Sequence, residues 1–183
     1  GVGFAMQGLI SSDGQRVIYG KILDCTGLHV SAVQQYLPYP CRFAHDADSA
    51  AIAELWAAPG LDDAFYLSLS RHLAAALILD RKIITGRHGH SATIEHIQMD
   101  PDGARCYCGK RGCLETLCSL RTLQWDLEDL DAFFEKVRAA DRRAQEIWIT
   151  YLKNLARAIN MLHLIYDKTF ILGGYLAPYL QQA

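Results

Sequence analysis

The chain has 183 residues, 51% of them hydrophobic and 21% charged, with a formal net charge of -2. That is enough for one ordinary domain or two small ones, in the balance of a soluble globular protein with a sizeable core. The near-neutral charge makes no general case for nucleic acid or an anionic membrane as partner. No apolar run reaches the roughly 18 residues that span a bilayer, and no signal-peptide pattern is visible.

The first ten residues, GVGFAMQGLI, read as a strand entering a glycine turn, and SSDGQ reads as a reversal before RVIYGKIL. LHVSAVQQYL (28–37) reads as a short helix stopped by Pro38 and Pro40. CRFAHD is a short strand leading into DADSAAIAELWAA (46–58), an alanine-rich helix ended by Pro59 and Gly60. AFYLSLS (64–70) and LAAALILDRKIITG (73–86) read as two strands of a hairpin, with Asp80 and Arg81 near the turn. Residues 86–118 carry glycines and cysteines with little periodicity, so they read as one structured loop.

Apolar residues at 127, 130, 133, 134 and 137 form a helical stripe. The pattern resumes through Ile147, Tyr151, Leu155, Ile159 and Leu162, which predicts one long packed helix over 142–166 that begins in a solvated DRRAQE segment. Trp125, Trp148 and Phe133 read as core or subunit contacts, and His163 as a satisfied core or interface residue. TFILGG is a last strand running into a Gly-Gly turn. Strands and helices are mixed along the chain, which predicts an α/β or α+β class. The chain starts without methionine and ends soon after this strand, so a fragment is expected.

Six cysteines are present, and three of them, Cys106, Cys108 and Cys113, are grouped as C-x-C-x4-C. Thiolates are soft ligands that suit Zn²⁺, and Cys₃His is a closed tetrahedral set. Gly109 and Gly112 stand where the backbone must turn sharply to bring the sulfurs together. Arg105, Lys110 and Arg111 would offset the charge of three thiolates. His96 is the nearest upstream candidate for the fourth ligand, with His88 and His90 also in reach. The competing readings are a disulfide or free thiols. The tight grouping favours metal in a reducing cytoplasm, and a closed ligand set favours a structural role. Cys25, Cys41 and Cys118 are isolated and read as small buried side chains.

CYCGKRGCLE (106–115) resembles the C-x-C-G-x-x-G-C-x-E signature of the ROK family of repressors, uncharacterised frames and sugar kinases. GVGFAMQGLI resembles that family's G-I-G-x-x-x-P-G-x-V stretch, with Gln7 in place of proline. FAHDADSAAIAELW resembles its N-D-A-N-A-A-x-x-A-E segment, and DKTFILGGYLAPYL its late strand and Gly-Gly turn. The resemblance implies an α/β, actin-like (ribonuclease-H-like) ATPase fold of two lobes. Residues 1–45 would close the first lobe and residues 46–183 would supply most of the second, including the zinc loop 86–118. The family's amino-terminal Asp-x-Gly-Gly-Thr phosphate loop and its last helices would lie outside the chain.

In the family's kinases an Asp acts as general base on a sugar hydroxyl, which attacks the γ-phosphate of ATP. Asp46 matches that position. Read without the resemblance, Asp46 would rather be the N-cap of the following helix. The resemblance makes His96 and Glu115 sugar ligands, with the same histidine holding zinc through its other ring nitrogen. His45 stands where the family's sugar-binding Asn is expected, and Thr93 where its first Glu is expected. Glu95, two residues on, is either a substitute for that Glu or a surface carboxylate. The family's second phosphate loop is glycine-rich so that backbone amides approach ATP. Here the run is SRHLAAALI, with Ala74 and Ala75 where Gly-Gly is expected. Arg71 and His72 are the only charge sources in that run.

Three functions follow, in this order. The first is a non-catalytic effector domain of a ROK transcriptional regulator that binds a monosaccharide or sugar phosphate. The family's DNA-binding winged helix would lie amino-terminal to this chain. The second is an active sugar kinase using ATP and Mg²⁺ with a hexose or N-acetylhexosamine. The third is a zinc-stabilised assembly module with a vestigial pocket. The resemblance also implies a homo-oligomer.

Overall fold

The computed structural model describes residues 1–123 and 129–181, and the chain in it divides into two units. The first comprises Gly1–Ala64 and Ala76–Thr93, the second Phe65–Ala75 and Ile94–Ala183. Strands and helices are mixed along the chain, as the sequence pattern predicts.

In the first unit, β1 (Val2–Met6) pairs in parallel with β4 (Cys41–His45), in a register running from Val2 opposite Cys41 to Met6 opposite His45. Val2, Phe4 and Met6 alternate along β1 with more exposed residues. They pack on a core of Val17, Val30, Cys41 and Phe43, where Cys25 is also partly buried. The first strand enters a glycine turn, as expected, and a second short strand follows it. Gly8, at φ 118°, turns the chain between β1 and β2 (Leu9–Ile10). β2 then pairs antiparallel with β3 (Val17–Tyr19). The SSDGQ segment forms the predicted reversal: Ser11 Oγ accepts from the amides of Gln15 and Arg16 at 3.1 and 2.9 Å.

The helix expected over 28–37 is only four residues long, α1 (Ser31–Gln34). The alanine-rich segment forms α2 (Asp46–Ala57), which ends before Pro59 as expected.

β5 (Ala64–Leu69) and β6 (Leu73–Leu79) are joined by three residues. Asp80 and Arg81 close a separate two-residue turn into β7 (Lys82–Ile83), where Ile78 lies opposite Ile83 and Leu79 opposite Lys82. The long second strand of the predicted hairpin is therefore split at that turn. The strand order is β7-β6-β5-β8, with β8 (Thr169–Gly173) formed by the late strand.

In the second unit, α3 (Glu115–Cys118), α4 (Leu130–Arg138), α5 (Arg142–His163) and α6 (Ala177–Leu180) follow the loop region. Asp141 caps α5 through a 2.8 Å bond from the Ala144 amide, so the long helix starts where a capping side chain appears. Its apolar stripe buries Trp148, Tyr151, Leu155 and Leu162. Phe134 stacks on Tyr179 at 4.2 Å and meets the edge of Trp148 at 5.0 Å. Phe133 and Trp148 are core residues, as expected. His163 is not: it is half exposed near the helix end, with Nε2 3.6 Å from Asp167. Trp125 and Leu127 lie outside the described residues. Among the described residues no helix is long and apolar enough to cross a membrane.

Candidate metal centre and the carboxylate beside it

Residues 94–118 are an ordered knuckle in the second unit. A 3₁₀ turn over Ile94–His96 presents the imidazole of His96. The chain then returns on itself. The Leu114 amide donates to Ile97 O at 2.9 Å, and the Met99 amide to Gly112 O at 2.8 Å. Within the loop, the Cys106 amide donates to Lys110 O at 2.8 Å and the Gly109 amide to Cys106 O at 3.0 Å. These bonds fold the C-x-C-x4-C segment into a tight hairpin with its sulfurs on one side.

The donor atoms of His96, Cys106, Cys108 and Cys113 all lie within 4.8 Å of one another. Cys106 Sγ is 3.7 Å from His96 Nδ1, and Cys108 Sγ is 3.7 Å from Cys113 Sγ. A tetrahedron with zinc–sulfur bonds of about 2.3 Å has edges of about 3.8 Å, so the residues fit a tetrahedral dication. These distances are also far too long for a disulfide, and all six cysteines are free. Of the three candidate histidines, His96 is the one in this group; His88 and His90 lie in the other unit.

Burial pushes the thiol of Cys106 above its ordinary range and that of Cys113 up to about 12. Burial acts in the same direction on Cys108, but the Lys110 amide, the neighbouring sulfurs and the Lys110 charge outweigh it and leave that thiol low. Burial also lowers His96, against the pull of Glu115, which favours the neutral imidazole that a metal requires. Three sulfurs so close cannot all ionise without a cation among them, so metal uptake here must expel protons.

With Nδ1 3.7 Å from the Cys106 sulfur, the other ring nitrogen of His96, Nε2, lies 3.9 Å from Glu95 Oε1. That is an electrostatic contact rather than a hydrogen bond. Glu95 is 13% exposed, so it is not a surface carboxylate.

Glu115 opens α3 and is 4% exposed. Its Oε1 lies 2.7 Å from Nδ1 of His72, and its Oε2 accepts from the Leu73 amide at 2.8 Å. Both partners come from the turn between β5 and β6. His72 is thus tied to a carboxylate and is not a loose cation. Tyr107 sits between the two histidines, with its ring edge-on to His96 at 5.0 Å and to His72 at 5.6 Å. Sequence reasoning did not find the roles of His72 and Tyr107. The signals available were a lone histidine inside an apolar hairpin and an aromatic residue between two clustered cysteines. Tyr107, Glu115, Arg105 and Arg121 are among the walls of a cavity of about 470 Å³.

His45 and Asp46 belong to the first unit. His45 occupies the N-cap position of α2 in extended conformation but its side chain caps nothing. Asp46 is the first helical residue, and its Oδ1 accepts from the adjacent Ala47 amide at 2.8 Å. The capping reading of Asp46 therefore fails, because a cap accepts from two or three residues ahead. Its side chain is 36% exposed, 3.4 Å from His45 Nε2. A second cavity, of about 350 Å³, has His45, Asp48, Arg42 and Thr93 among its walls.

The model of the ROK family matches residues 1–179. Over 118 residues the chain is 33% identical to the DNA-binding transcriptional dual regulator NagC of Escherichia coli (strain K12), covering 62% of this chain and 29% of that regulator. Over 153 residues it is 29% identical to the N-acetylmannosamine kinase of Escherichia coli O9:H4 (strain HS), covering 79% of this chain and 53% of that kinase. Its fold matches a ROK family glucokinase from Streptomyces griseus in complex with glucose and AMPPNP, with a TM-score of 0.83 at 24% identity over 93% of this chain and 64% of that one. It also matches a ROK family transcriptional regulator, a homologue of the E. coli MLC protein, with a TM-score of 0.72 at 22% identity over 98% and 52% of the two chains. Each of these proteins is matched over less than two thirds of its own length.

Proposed function

This chain belongs to the ROK family and has its actin-like α/β fold, and on that footing we propose that it is the sugar-binding effector part of a transcriptional regulator without kinase activity. The observation that carries this reading is the turn between β5 and β6. A phosphate loop needs free amides and room for an anion. Here Ala74, Ala75 and Ala76 lie inside strand β6. The Leu73 amide, at the mouth of the turn, is already bound to the Glu115 carboxylate at 2.8 Å. That amide is thus engaged by an internal carboxylate and is not free for a phosphate, while phosphoryl transfer depends chiefly on positioning and charge stabilisation.

His96, Cys106, Cys108 and Cys113 would hold one Zn²⁺ as a closed structural centre, which supplies rigidity and fixes the imidazole's tautomer. With Nδ1 turned to the metal, Nε2 carries the proton and serves as a donor to a sugar oxygen. Glu115 accepts from a sugar hydroxyl. By family resemblance Asp46 and His45 are further sugar contacts. The names of two relatives, an N-acetylmannosamine kinase and an N-acetylglucosamine repressor, make an N-acetylhexosamine or its phosphate the ligand to try first. The protein would act in the cytoplasm as a homo-oligomer, with any DNA contact made by a region outside this chain.

One observation favours the kinase reading, with ATP and Mg²⁺ as cosubstrate and cofactor: the Asp46 carboxylate is not spent on capping α2 and stays partly exposed. The two readings separate in one experiment. The protein is incubated with ATP, Mg²⁺ and N-acetylglucosamine, N-acetylmannosamine or glucose, and ADP release and thermal shift are both followed. A sugar-dependent rise in melting temperature without ADP release is expected. ADP release above background would overturn the effector reading in favour of a kinase. No shift with any sugar would leave the zinc-stabilised assembly module.

A further inference from the structure

The contacts of Glu115 are unusual for a residue that is to serve a ligand. It is nearly fully buried, and a buried carboxylate is stable only where its oxygens find donors. Both donors come from one short turn: the His72 ring reaches Oε1 at 2.7 Å, and the Leu73 amide reaches Oε2 at 2.8 Å. We propose that His72 is a positioning residue for sugar recognition, holding the Glu115 carboxylate in the orientation in which it meets a sugar hydroxyl. The proposal rests on the sugar-binding reading above and adds to it a residue outside the family's sugar-binding set.

Three features support it. A carboxylate has about four lone-pair sites, and the turn uses one on each oxygen. Acceptor capacity therefore remains for hydroxyls, on a group whose rotamer is already set. Glu115 also forms part of the wall of the 470 Å³ cavity, so an open volume lies next to it. Last, the Tyr107 ring meets both His72 and His96 edge-on, at interplanar angles of 89° and 74°. Through that one ring, on the metal-binding hairpin, the imidazole of His96 and the clamp on Glu115 are held relative to each other. A site assembled beforehand loses less ordering entropy on binding. Facing a carboxylate, Nδ1 of His72 must carry the proton, and an asparagine amide at the same position is able to supply an equivalent donor.

The test compares wild type, His72→Ala and His72→Asn. N-acetylglucosamine binding is measured by titration calorimetry and bound zinc by elemental analysis. Amide exchange is followed at Leu73 and along α5. The expected result for His72→Ala is a loss of affinity of at least tenfold and a similar acceleration of Leu73 exchange, with zinc content and α5 exchange unchanged. His72→Asn is expected to recover most of the affinity. Wild-type affinity or wild-type Leu73 exchange in His72→Ala would overturn the proposal. So would a loss of α5 protection parallel to the loss of binding, because the effect would then be one of folding. If the wild type binds no N-acetylhexosamine, the sugar reading falls and the recognition role of His72 with it; Leu73 exchange then decides alone whether His72 clamps the carboxylate.

Discussion

Gly109 and Gly112 both hold positive φ, at 94° and 58°, but a side chain would meet different surroundings at the two positions. At Gly109 nothing lies within 4 Å of a built Cβ. At Gly112 a Cβ would run into the backbone carbonyl of Asp100. The Gly112 carbonyl also receives the amides of Met99 and Asp100, at 2.8 and 3.1 Å, so this backbone cannot shift to make room. Gly112→Ala is therefore expected to lose about 2–4 kcal/mol and to abolish zinc retention. Gly109→Ala should cost about 1–2 kcal/mol, the price of the backbone conformation alone, and keep its metal. Zinc per chain after gel filtration, with urea melts of both variants, checks the contrast. If Gly112→Ala holds zinc as the wild type does, the hairpin is not what positions the sulfurs. The clustering of His96, Cys106, Cys108 and Cys113 was legible in the sequence because three of them lie within one short loop and the fourth is the nearest upstream histidine. The partner of Glu115 was not legible, since His72 stands 43 residues away and no local pattern announces a contact of that separation.

At the level of the elements, the least predictable feature is the turn between β6 and β7. Asp80 and Arg81 both adopt positive φ, at 49° and 61°, in a two-residue hairpin that glycine or asparagine usually fills. What compensates is the reach of Arg81. Its Nη1 donates to the carbonyls of Pro59 and Leu61 at 2.6 and 2.8 Å, and its Nη2 to Leu55 at 3.3 Å. The guanidinium thereby satisfies carbonyls at and just beyond the end of α2, where cations are favoured. A strand turn thus braces the end of a helix that precedes it by more than twenty residues. The sequence shows the Pro59-Gly60 stop and marks 80–81 as turn-like, but it does not reveal that one supports the other. Arg81→Ala is expected to cost about 1–2 kcal/mol after allowance for its partial exposure. Arg81→Lys should not rescue it, because an ammonium cannot span three carbonyls as a planar fork does. Denaturant midpoints, with amide exchange at Ala58 and Leu61, measure both effects. Equal stability of all three proteins would show the network to be incidental.

For the molecule as a whole, a metal held by the His/Cys cluster would contribute energy as well as geometry. The second unit contains long-range ties that do not need it, such as the 2.9 Å bond from the Tyr151 hydroxyl to Cys118 O and the stacking of Phe134 on Tyr179. The knuckle has fewer. Between the 3₁₀ turn of His96 and the start of α3, its regular structure consists of isolated bridges, Gln98 to Cys113 and Arg105 to Arg111. Such a segment has little buried apolar surface of its own to set against its ordering entropy. The metal would supply the difference by mass action, about 4 kcal/mol at a thousandfold excess over the dissociation constant. For a chain of this size that corresponds to a fall in melting temperature of roughly 10 °C on chelation. The family resemblance and the α/β pattern are spread over nearly the entire sequence, so the fold was legible before any coordinates; the energetic weight of one ion was not, because composition says nothing about which segment lacks a core. Calorimetric scans with and without a strong chelator, paired with metal analysis, decide the matter. A melting temperature unmoved after complete metal loss would mean that the hairpin bonds and the packing around α5 hold the knuckle unaided, and that zinc serves only to orient the imidazole of His96.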